Sequence, residues 1–403
     1  MTEKTMAQVR DRKIAPFWYA IVAFLVGALI LYGYNLATGF TPDRVAISVF
    51  DFSIYWYGII IAFGIALGAI VVADLVQKRG QELFLQRVPA PIRERNLSEL
   101  ELPDALLSTL QADGYHELGP VLLRLPFGPT SLGLNDEEHA LLSKRLLAQP
   151  GIKRAWIEDA PWRQWNPEHL WNGLFWCLIL AVIGARLYHV LTPSPSMAEV
   201  GINSPADYFR HPMELINVRR GGLGIYGGIG GGALGLLLYS YRYHLSALKW
   251  ADIAVIGVAL GQFVGRWGNF FNQELYGRPT ALPWAVYIER DYRLSEYVQF
   301  SRFHPAFLYE SLWNLLAFAI LLTLWRRYRD RLIPGDLMAT YLILYGVGRI
   351  LMETVRLDSR TLTLGQLDVR LPVATVVSSL LAIIMLAWIV WRHRIRGSAG
   401  RAG

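Results

Sequence analysis

Residues 265–279 read Gly265-Arg266-Trp267-Gly268-Asn269-Phe270-Phe271-Asn272-Gln273-Glu274-Leu275-Tyr276-Gly277-Arg278-Pro279, at the end of an apolar run that begins near Ala251. The run sets an arginine, two asparagines and a glutamate at the edge of a hydrocarbon slab, where ionisable groups are costly and point to function by default. Arg266 and Asn269 stand three residues apart and share a helix face. Arg349, Glu353 and Arg356 follow the i, i+4, i+7 spacing of one stripe, with the acid between two bases. Arginine presents a planar fork matched to phosphate oxygens. Arg266 and Arg349, on different helices, would grip a phosphate from two sides while Glu353 orients Arg349. The competing reading of the 349–356 stripe is a structural ion-pair ladder between helices.

Other polar groups fall at the ends of apolar runs. Tyr55 and Tyr57 open one, Arg186 closes another, Tyr226 opens a third, and His304, Tyr309 and Glu310 open a fourth. Assigned to alternating helices, all of these fall on the same side of a membrane as Arg266 and Arg349. Interfacial anchors alone would occur at both faces. His304 precedes Pro305, which suits a helix first turn, so a cap and an acid–base group are both open readings of the histidine. Tyr309 and Glu310 are adjacent and cannot both face one stripe.

Positioning such groups requires helices that span a membrane. The chain has 403 residues, 53% hydrophobic and only 18% charged, against roughly 25% charged in a soluble domain. A span needs about 20 mostly apolar residues, and eight segments qualify: 16–34, 54–76, 168–191, 222–241, 250–270, 304–325, 336–356 and 372–392. The net charge of +7 gathers in loops beside these runs, at Lys78 to Arg95, Arg242 and Lys249, Arg326 to Arg331, and Arg392 to Arg396. That pattern is the positive-inside bias of a multi-pass protein and excludes a nucleic-acid partner. It puts both termini in the cytoplasm. The first run follows a basic tail (Lys4, Arg10, Arg12, Lys13) as a signal peptide would, but its length and the lack of a clean cleavage site favour an uncleaved anchor. The lone Cys177 allows no disulfide within the chain, makes a thiolate metal site improbable, and reads as a buried, inert thiol.

The organisation expected is therefore an all-α polytopic membrane protein of about eight transmembrane helices. It has a tail, extra anchor and short loop over 1–53, a helix over 54–76, a cytoplasmic insertion over 77–165, a core over 166–392 with outer loops 192–221 and 271–303, and a basic tail over 393–403. The insertion is polar and rich in proline. Leu106 to Leu110 and Glu137 to Leu147 read as helices and Ile152 to Ile157 as a strand, giving a small soluble α+β fold with no evident chemistry and an unknown cytoplasmic partner. Residues 221–232 contain the spacing GxGxxG, but with no preceding strand and inside an apolar span it is not a dinucleotide site. Gly224, Gly228 and Gly232 repeat every four residues, as do Gly257, Gly261 and Gly265, and Gly64 and Gly68. Such seams let helices pack closely; room beside Tyr226 for a lipid chain or peptide is the alternative.

Several blocks resemble the prolipoprotein diacylglyceryl transferases, a family of bacterial membrane enzymes. They are Tyr55-Trp56-Tyr57-Gly58, Gly184-Ala185-Arg186, the glycine run around Tyr226, the 265–279 signature, His304 to Glu310, and Gly348 to Glu353, in the family's order. The signature is specific; the glycine run alone is not. The resemblance implies transfer of a diacylglyceryl group from phosphatidylglycerol to the lipobox cysteine of a prolipoprotein signal peptide, with release of glycerol phosphate. It implies no cofactor or metal, and a site in the outer half of the bacterial inner membrane, among membrane lipids. Arg266 and Arg349 match the family's essential arginines; Asn269, Glu274, Tyr57, Tyr309 and Glu353 match its other polar site residues. The expected catalytic group is Arg266, Arg349, Tyr226, Glu274 and Glu353. The expected substrate-binding group is Tyr57, Arg186, Asn269, Gly277, His304, Tyr309, Glu310 and Arg356. Three features depart from the common seven-span form: the extra first span, the insertion, and Tyr226 where the family carries a histidine. Tyrosine, with an ordinary pKa near 10, is a poor base at neutral pH. Tyr226 working beside an arginine, a thiol that needs no dedicated base, and a paralogue with another acceptor or a purely lipid-binding role all stay open.

Overall fold

The computed structural model describes residues 15–50, 52–193, 195–217, 222–357, 361–364 and 369–399. The basic N-terminal tail, Gly221, parts of the 192–221 and 357–371 loops, and the end of the C-terminal tail lie outside the described residues. The chain forms two units, one discontinuous (Ile14–Val72 with Leu248–Gly403) and one central (Ala73–Ala247, with Met1–Lys13).

In chain order, α1 (Pro16–Thr38) leads through the ribbon β1 (Val45–Val49) and β2 (Phe52–Tyr55) into α2 (Trp56–Arg87). The insertion follows with α3 (Ala90–Arg93), α4 (Asp104–Ala112), α5 (Leu118–Arg124) and α6 (Asp136–Leu147). Next come α7 (Pro167–Leu191), α8 (Met213–Ile216), α9 (Ile225–Arg242) and α10 (Ala247–Asn272). The ribbon β3 (Val286–Tyr287) and β4 (Arg302–Phe303) precedes α11 (Ala306–Tyr328) and α12 (Asp336–Glu353). The ribbon β5 (Thr361–Leu364) and β6 (Val369–Pro372) leads to α13 (Val373–Ala399). All three ribbons are antiparallel pairs in connecting segments, so the all-α class holds.

Among the described residues, six helices are long and apolar enough to cross a membrane: α1, α2, α7, α10, α11 and Ala374–Ile395 within α13. The other two expected spans, 222–241 and 336–356, are helices of 18 residues, α9 and α12. At 1.5 Å per residue each is about 27 Å long. Glycines in α9 and the polar groups of α12 keep both below the hydropathy of the other six.

Local chemistry explains the ends. Pro16 occupies the first turn of α1, and Gly39 closes the helix in the left-handed conformation (φ 76°), its N–H donating to the Asn35 carbonyl. Asn166 caps α7 by accepting from Glu168 N–H at 3.1 Å, with Pro167 at the first position. The first turn of α12 is capped from another helix: Asp252 of α10, almost fully buried, accepts from the N–H groups of Gly335 (2.6 Å) and Met338 (2.9 Å). In the discontinuous unit, Gly64 and Gly68 meet Gly261 and Gly257, where an added Cβ would crowd the facing carbonyls. That predicted seam is realised, except that Gly265 has nothing near it.

In the central unit, α9 packs against α7 through Gly227, Gly231 and Gly235, which face Gly184, Leu180 and Cys177. The expected face of Gly224, Gly228 and Gly232 is shifted: Gly228 and Gly232 make only ordinary contacts. Cys177 is half-buried rather than buried. The insertion differs more. Ile152 to Ile157 forms no strand; it makes a 3-10 turn at Arg154–Trp156, and among the described residues of 77–165 there are helices, 3-10 turns and one isolated bridge, Asn96–Glu117. An α+β insertion is thus corrected to an all-helical one. Asn135 and Glu138 form a capping box at the start of α6. Leu97, Leu110, Val121, Leu122, Leu142, Leu146 and Trp162 are fully enclosed in its core.

Candidate active site

The polar groups of the discontinuous unit fall into several separately bonded groups. Arg266, in the second-last turn of α10, places Nε 2.7 Å from Glu310 Oε2 of α11. Arg356, just past the end of α12, places a terminal nitrogen 3.3 Å from Glu310 Oε1. Glu310 is buried and bridges two arginines from two other segments. Arg349 and Glu353, one turn apart on α12, pair at 2.8 Å with Glu353 buried. The predicted ladder along 349–356 is therefore split: Arg349 pairs with Glu353, while Arg356 turns to Glu310. Among the described residues, Arg266 uses only Nε in its ion pair. Among those residues its two terminal nitrogens, the prongs of the fork, hold no protein partner. Tyr341 of α12 donates to Gln262 of α10 at 3.0 Å, tying the two arginine-bearing helices one turn before Arg266.

Asn269, buried, and Asn272 each donate to Glu274 Oε1, at 2.9 and 3.1 Å. Glu274 itself is exposed and sits between two residues in the left-handed region, Gln273 (φ 52°) and Leu275 (φ 54°). Non-glycine residues there are uncommon and cost of order 1 kcal/mol or more each. The buried Gln273 side chain offsets that strain by accepting from Glu289 N–H at 2.8 Å. The Tyr57 ring of α2 lies against Gly268, where a Cβ would come within 2.7 Å of it. Gly277 is equally necessary: a Cβ would meet Val355 O at 2.7 Å and His304 Cβ at 2.9 Å. Around it the Gly277 N–H donates to His304 O, the His304 N–H to Arg278 O, and the Arg278 N–H to Val355 O. Burial raises the pKa of the adjacent Tyr276 hydroxyl, which accepts from Leu294 N–H and donates to Tyr292 O.

His304 does not cap α11; Pro305 holds that position. Its Nδ1 lies 3.2 Å from the Tyr309 hydroxyl, and that hydroxyl lies 2.9 Å from Trp284 Nε1. An indole N–H can only donate, so Tyr309 accepts from Trp284 and keeps its own hydrogen for His304. The adjacent side chains separate as expected: Tyr309 toward His304 and Trp284, Glu310 toward the arginines. Trp284 carries no sequence signal, because one tryptophan in a loop has no motif spacing.

Two expected site residues belong to the central unit. Arg186 is buried at the end of α7 and donates from Nε to Leu215 O (2.8 Å), from one terminal nitrogen to Gly222 O (2.9 Å), and from the other to Glu214 O. Tyr226 opens α9, is largely exposed, and has its ring 5.8 Å from that of Tyr188. A mostly apolar cavity of about 280 Å³ opens in the insertion, lined by Phe84, Leu85, Tyr115, Leu123 and Arg124; it shares none of the polar residues above. Among the described residues, no cluster of histidine, cysteine and acid side chains is arranged to hold a metal ion.

A family model described as prolipoprotein diacylglyceryl transferase matches residues 141–391. A protein of Nostoc sp. (strain PCC 7120 / SAG 25.82 / UTEX 2576) named phosphatidylglycerol–prolipoprotein diacylglyceryl transferase is 36% identical over 298 residues, covering 73% of this chain and 95% of the relative. A protein of the same name from Chloroflexus aggregans is 38% identical over 253 residues, 59% of this chain and 79% of the relative. Another, from Frankia alni, is 45% identical over 192 residues, 47% of this chain and 48% of the relative.

Proposed function

Because the chain belongs to the prolipoprotein diacylglyceryl transferase family, we propose that it moves a diacylglyceryl group from phosphatidylglycerol to the lipobox cysteine of a prolipoprotein. The cysteine sulfur attacks the glycerol carbon that carries the phosphate. A carbon–sulfur bond forms, the carbon–oxygen bond to phosphate breaks, the thiol proton is lost, and glycerol phosphate leaves as an anion. The hard part is the negative charge on the leaving group. Fixed cationic donors in a water-poor site often supply the largest catalytic contribution, and they also favour the thiolate over a thiol whose ordinary pKa is near 8.5.

The observation that carries this reading is that Arg266 and Arg349, on two helices of one unit, are each ion-paired with a buried carboxylate. Glu310 and Glu353 hold the guanidinium groups in place before substrate arrives, and the outward nitrogens of Arg266 meet the phosphate. Glu274, fixed by Asn269 and Asn272, is the acid available at the mouth of the same unit; with Tyr57, Gly277, His304 and Tyr309 it shapes the pocket for the glycerol and the peptide. Arg356 steadies Glu310. Tyr226 replaces the family's histidine, and Tyr226→Phe asks whether its hydroxyl takes part. The multi-pass helices carry the site in the bacterial inner membrane, in its outer half, with both termini and the 77–165 insertion in the cytoplasm.

The test is transfer in vitro. The full chain in detergent, given phosphatidylglycerol and a lipobox peptide, releases glycerol phosphate only when the peptide cysteine is present. Release with a cysteine-free peptide, or none from folded protein that binds the lipid, overturns the reading in favour of another acceptor or a lipid-binding role.

A further inference from the structure

The first helix, which the seven-span form of the family lacks, is bonded into the loop that orients the site. Asn35, completely buried near the end of α1, treats Tyr287 as a neighbouring strand would: its Oδ1 accepts from Tyr287 N–H at 3.1 Å and its Nδ2 lies 3.3 Å from Tyr287 O. The same amide nitrogen donates to Thr41 Oγ1 at 2.9 Å. The Tyr32 hydroxyl, one turn earlier, donates to the main-chain carbonyl of Trp284. Arg302, opposite Tyr287 in the β3–β4 ribbon, reaches back to Leu36 O and Ala285 O, each at 3.2 Å. The Tyr32 ring meets Trp267, Phe270 and Phe307 edge-on, with centroids 5.8–6.5 Å apart. A helix that served only as an anchor would need none of these polar bonds, since its lipid-facing residues (Val22, Val26, Leu29, Ile30) already suit a membrane.

We propose that α1 is a positioning element of the active site: Tyr32 and Asn35 fix residues 284–287 so that Trp284 gives its indole N–H to Tyr309, and Tyr309 in turn orients His304. The inference rests on the transferase reading for its meaning in catalysis. Neither Tyr32 nor Asn35 touches substrate; both act through Trp284. Losing one neutral hydrogen bond is worth on the order of a five-fold change in rate.

The experiment uses the full chain in the transfer assay, comparing Tyr32→Phe, Trp284→Phe and the double variant. Tyr32→Phe removes one oxygen and leaves the ring packing intact. We expect kcat to fall about five-fold for Tyr32→Phe and about ten-fold for Trp284→Phe. KM for phosphatidylglycerol should change less than about two-fold, and the double variant should be no slower than Trp284→Phe alone. A wild-type kcat in Tyr32→Phe, a loss confined to KM, or losses that multiply in the double variant would each overturn the inference, since a packing role acts independently of the indole. A second readout needs no turnover. Asn35→Ala removes the acceptor of the Tyr287 N–H, so hydrogen exchange at Tyr287 should accelerate; unchanged exchange overturns the clamp. An unaltered chain that transfers nothing sinks the transferase reading, and the exchange result alone then decides the clamp.

Discussion

Arg186 and Arg266 are both arginines near the end of an apolar helix, and the molecule uses them differently. In the central unit Arg186 gives each of its three nitrogens to a main-chain carbonyl, of Leu215, Gly222 and Glu214. The planar fork closes around the loop that joins α7 to α9, and its ring neighbour Tyr208 lies 5.9 Å away. In the discontinuous unit Arg266 is held by one carboxylate through Nε, and among the described residues its terminal nitrogens hold no protein partner. The first arrangement orders backbone. On the proposed function the second would hold a cation ready for an anion, at the cost of keeping a carboxylate buried beside it. An arginine at membrane depth is therefore not enough to mark a site; what its nitrogens hold decides.

The sharpest test is to apply one substitution to both kinds of arginine. Arg266→Gln and Arg349→Gln should each lower kcat/KM for phosphatidylglycerol by about 10²–10³, the range for removing a preorganised donor, in protein that is still folded. Wild-type-like transfer by either variant would break the comparison and the anion reading with it. A smaller effect is expected from Glu310→Gln, which frees Arg266 and Arg356 from their shared carboxylate. Turnover should drop about ten-fold through lost orientation rather than lost charge, and an unchanged kcat would show that Glu310 does not hold Arg266 in its working position.

Arg186→Gln should show first in stability. It strands part-buried carbonyls that had a charged donor, a loss of about 1.5–3 kcal/mol, and limited proteolysis of the 195–217 segment should rise before activity falls. If instead its kcat/KM drops as far as that of Arg266→Gln in folded protein, Arg186 binds substrate directly and the contrast is wrong. The smallest effect concerns Asp207 in the same loop. Its carboxyl is held below the usual value of 3.8, first by the Ser204 hydroxyl and then by the N–H groups of Asn203 and Ser204. A depressed folded-state value means that the stabilisation is complete above 3.8 and is lost as pH falls through the lowered value. Protection of the Ser204 amide, corrected for intrinsic exchange, should be flat from neutrality down to about pH 4 and decline below it. Asp207→Asn should remove that acid step, and a step that survives would assign it elsewhere.

Much of the candidate site's geometry was legible because ionisable residues stand out in apolar runs. Arg266, Asn269 and Glu274 fall within nine residues of one another, and the Arg349–Glu353 pair is one helical turn apart. The Glu310 bridge was not legible as a bridge, since it depends on α10, α11 and the end of α12 meeting. Glu310 itself was picked out only by its motif. Trp284, Tyr32 and Asn35 carried no signal at all; their roles come from a loop folding back on a helix more than 240 residues away in sequence. The glycine seam was read one register off because almost every position from 227 to 232 is glycine, so spacing alone cannot choose a face. The false strand at 152–157 shows the limit of short apolar runs: Trp156 is buried in the insertion's core, and a 3-10 turn delivers it there as well as a strand would.

The backbone bonds around Gly277 have a mechanical consequence. The segment after α10 is stitched to the residues before α11 and, through Arg278, to those after α12, so the ends of three helices are laced together by main-chain bonds, which only a side chain added at Gly277 would crowd directly. Those ends cannot splay apart one at a time. If the unit takes its lipid from the bilayer, as the proposed function requires, the lipid passes between helix flanks below the lacing or enters while the lacing is undone as a whole. In the second case the amides of Gly277, Arg278 and His304 would open together, in a single cooperative event timed with lipid entry.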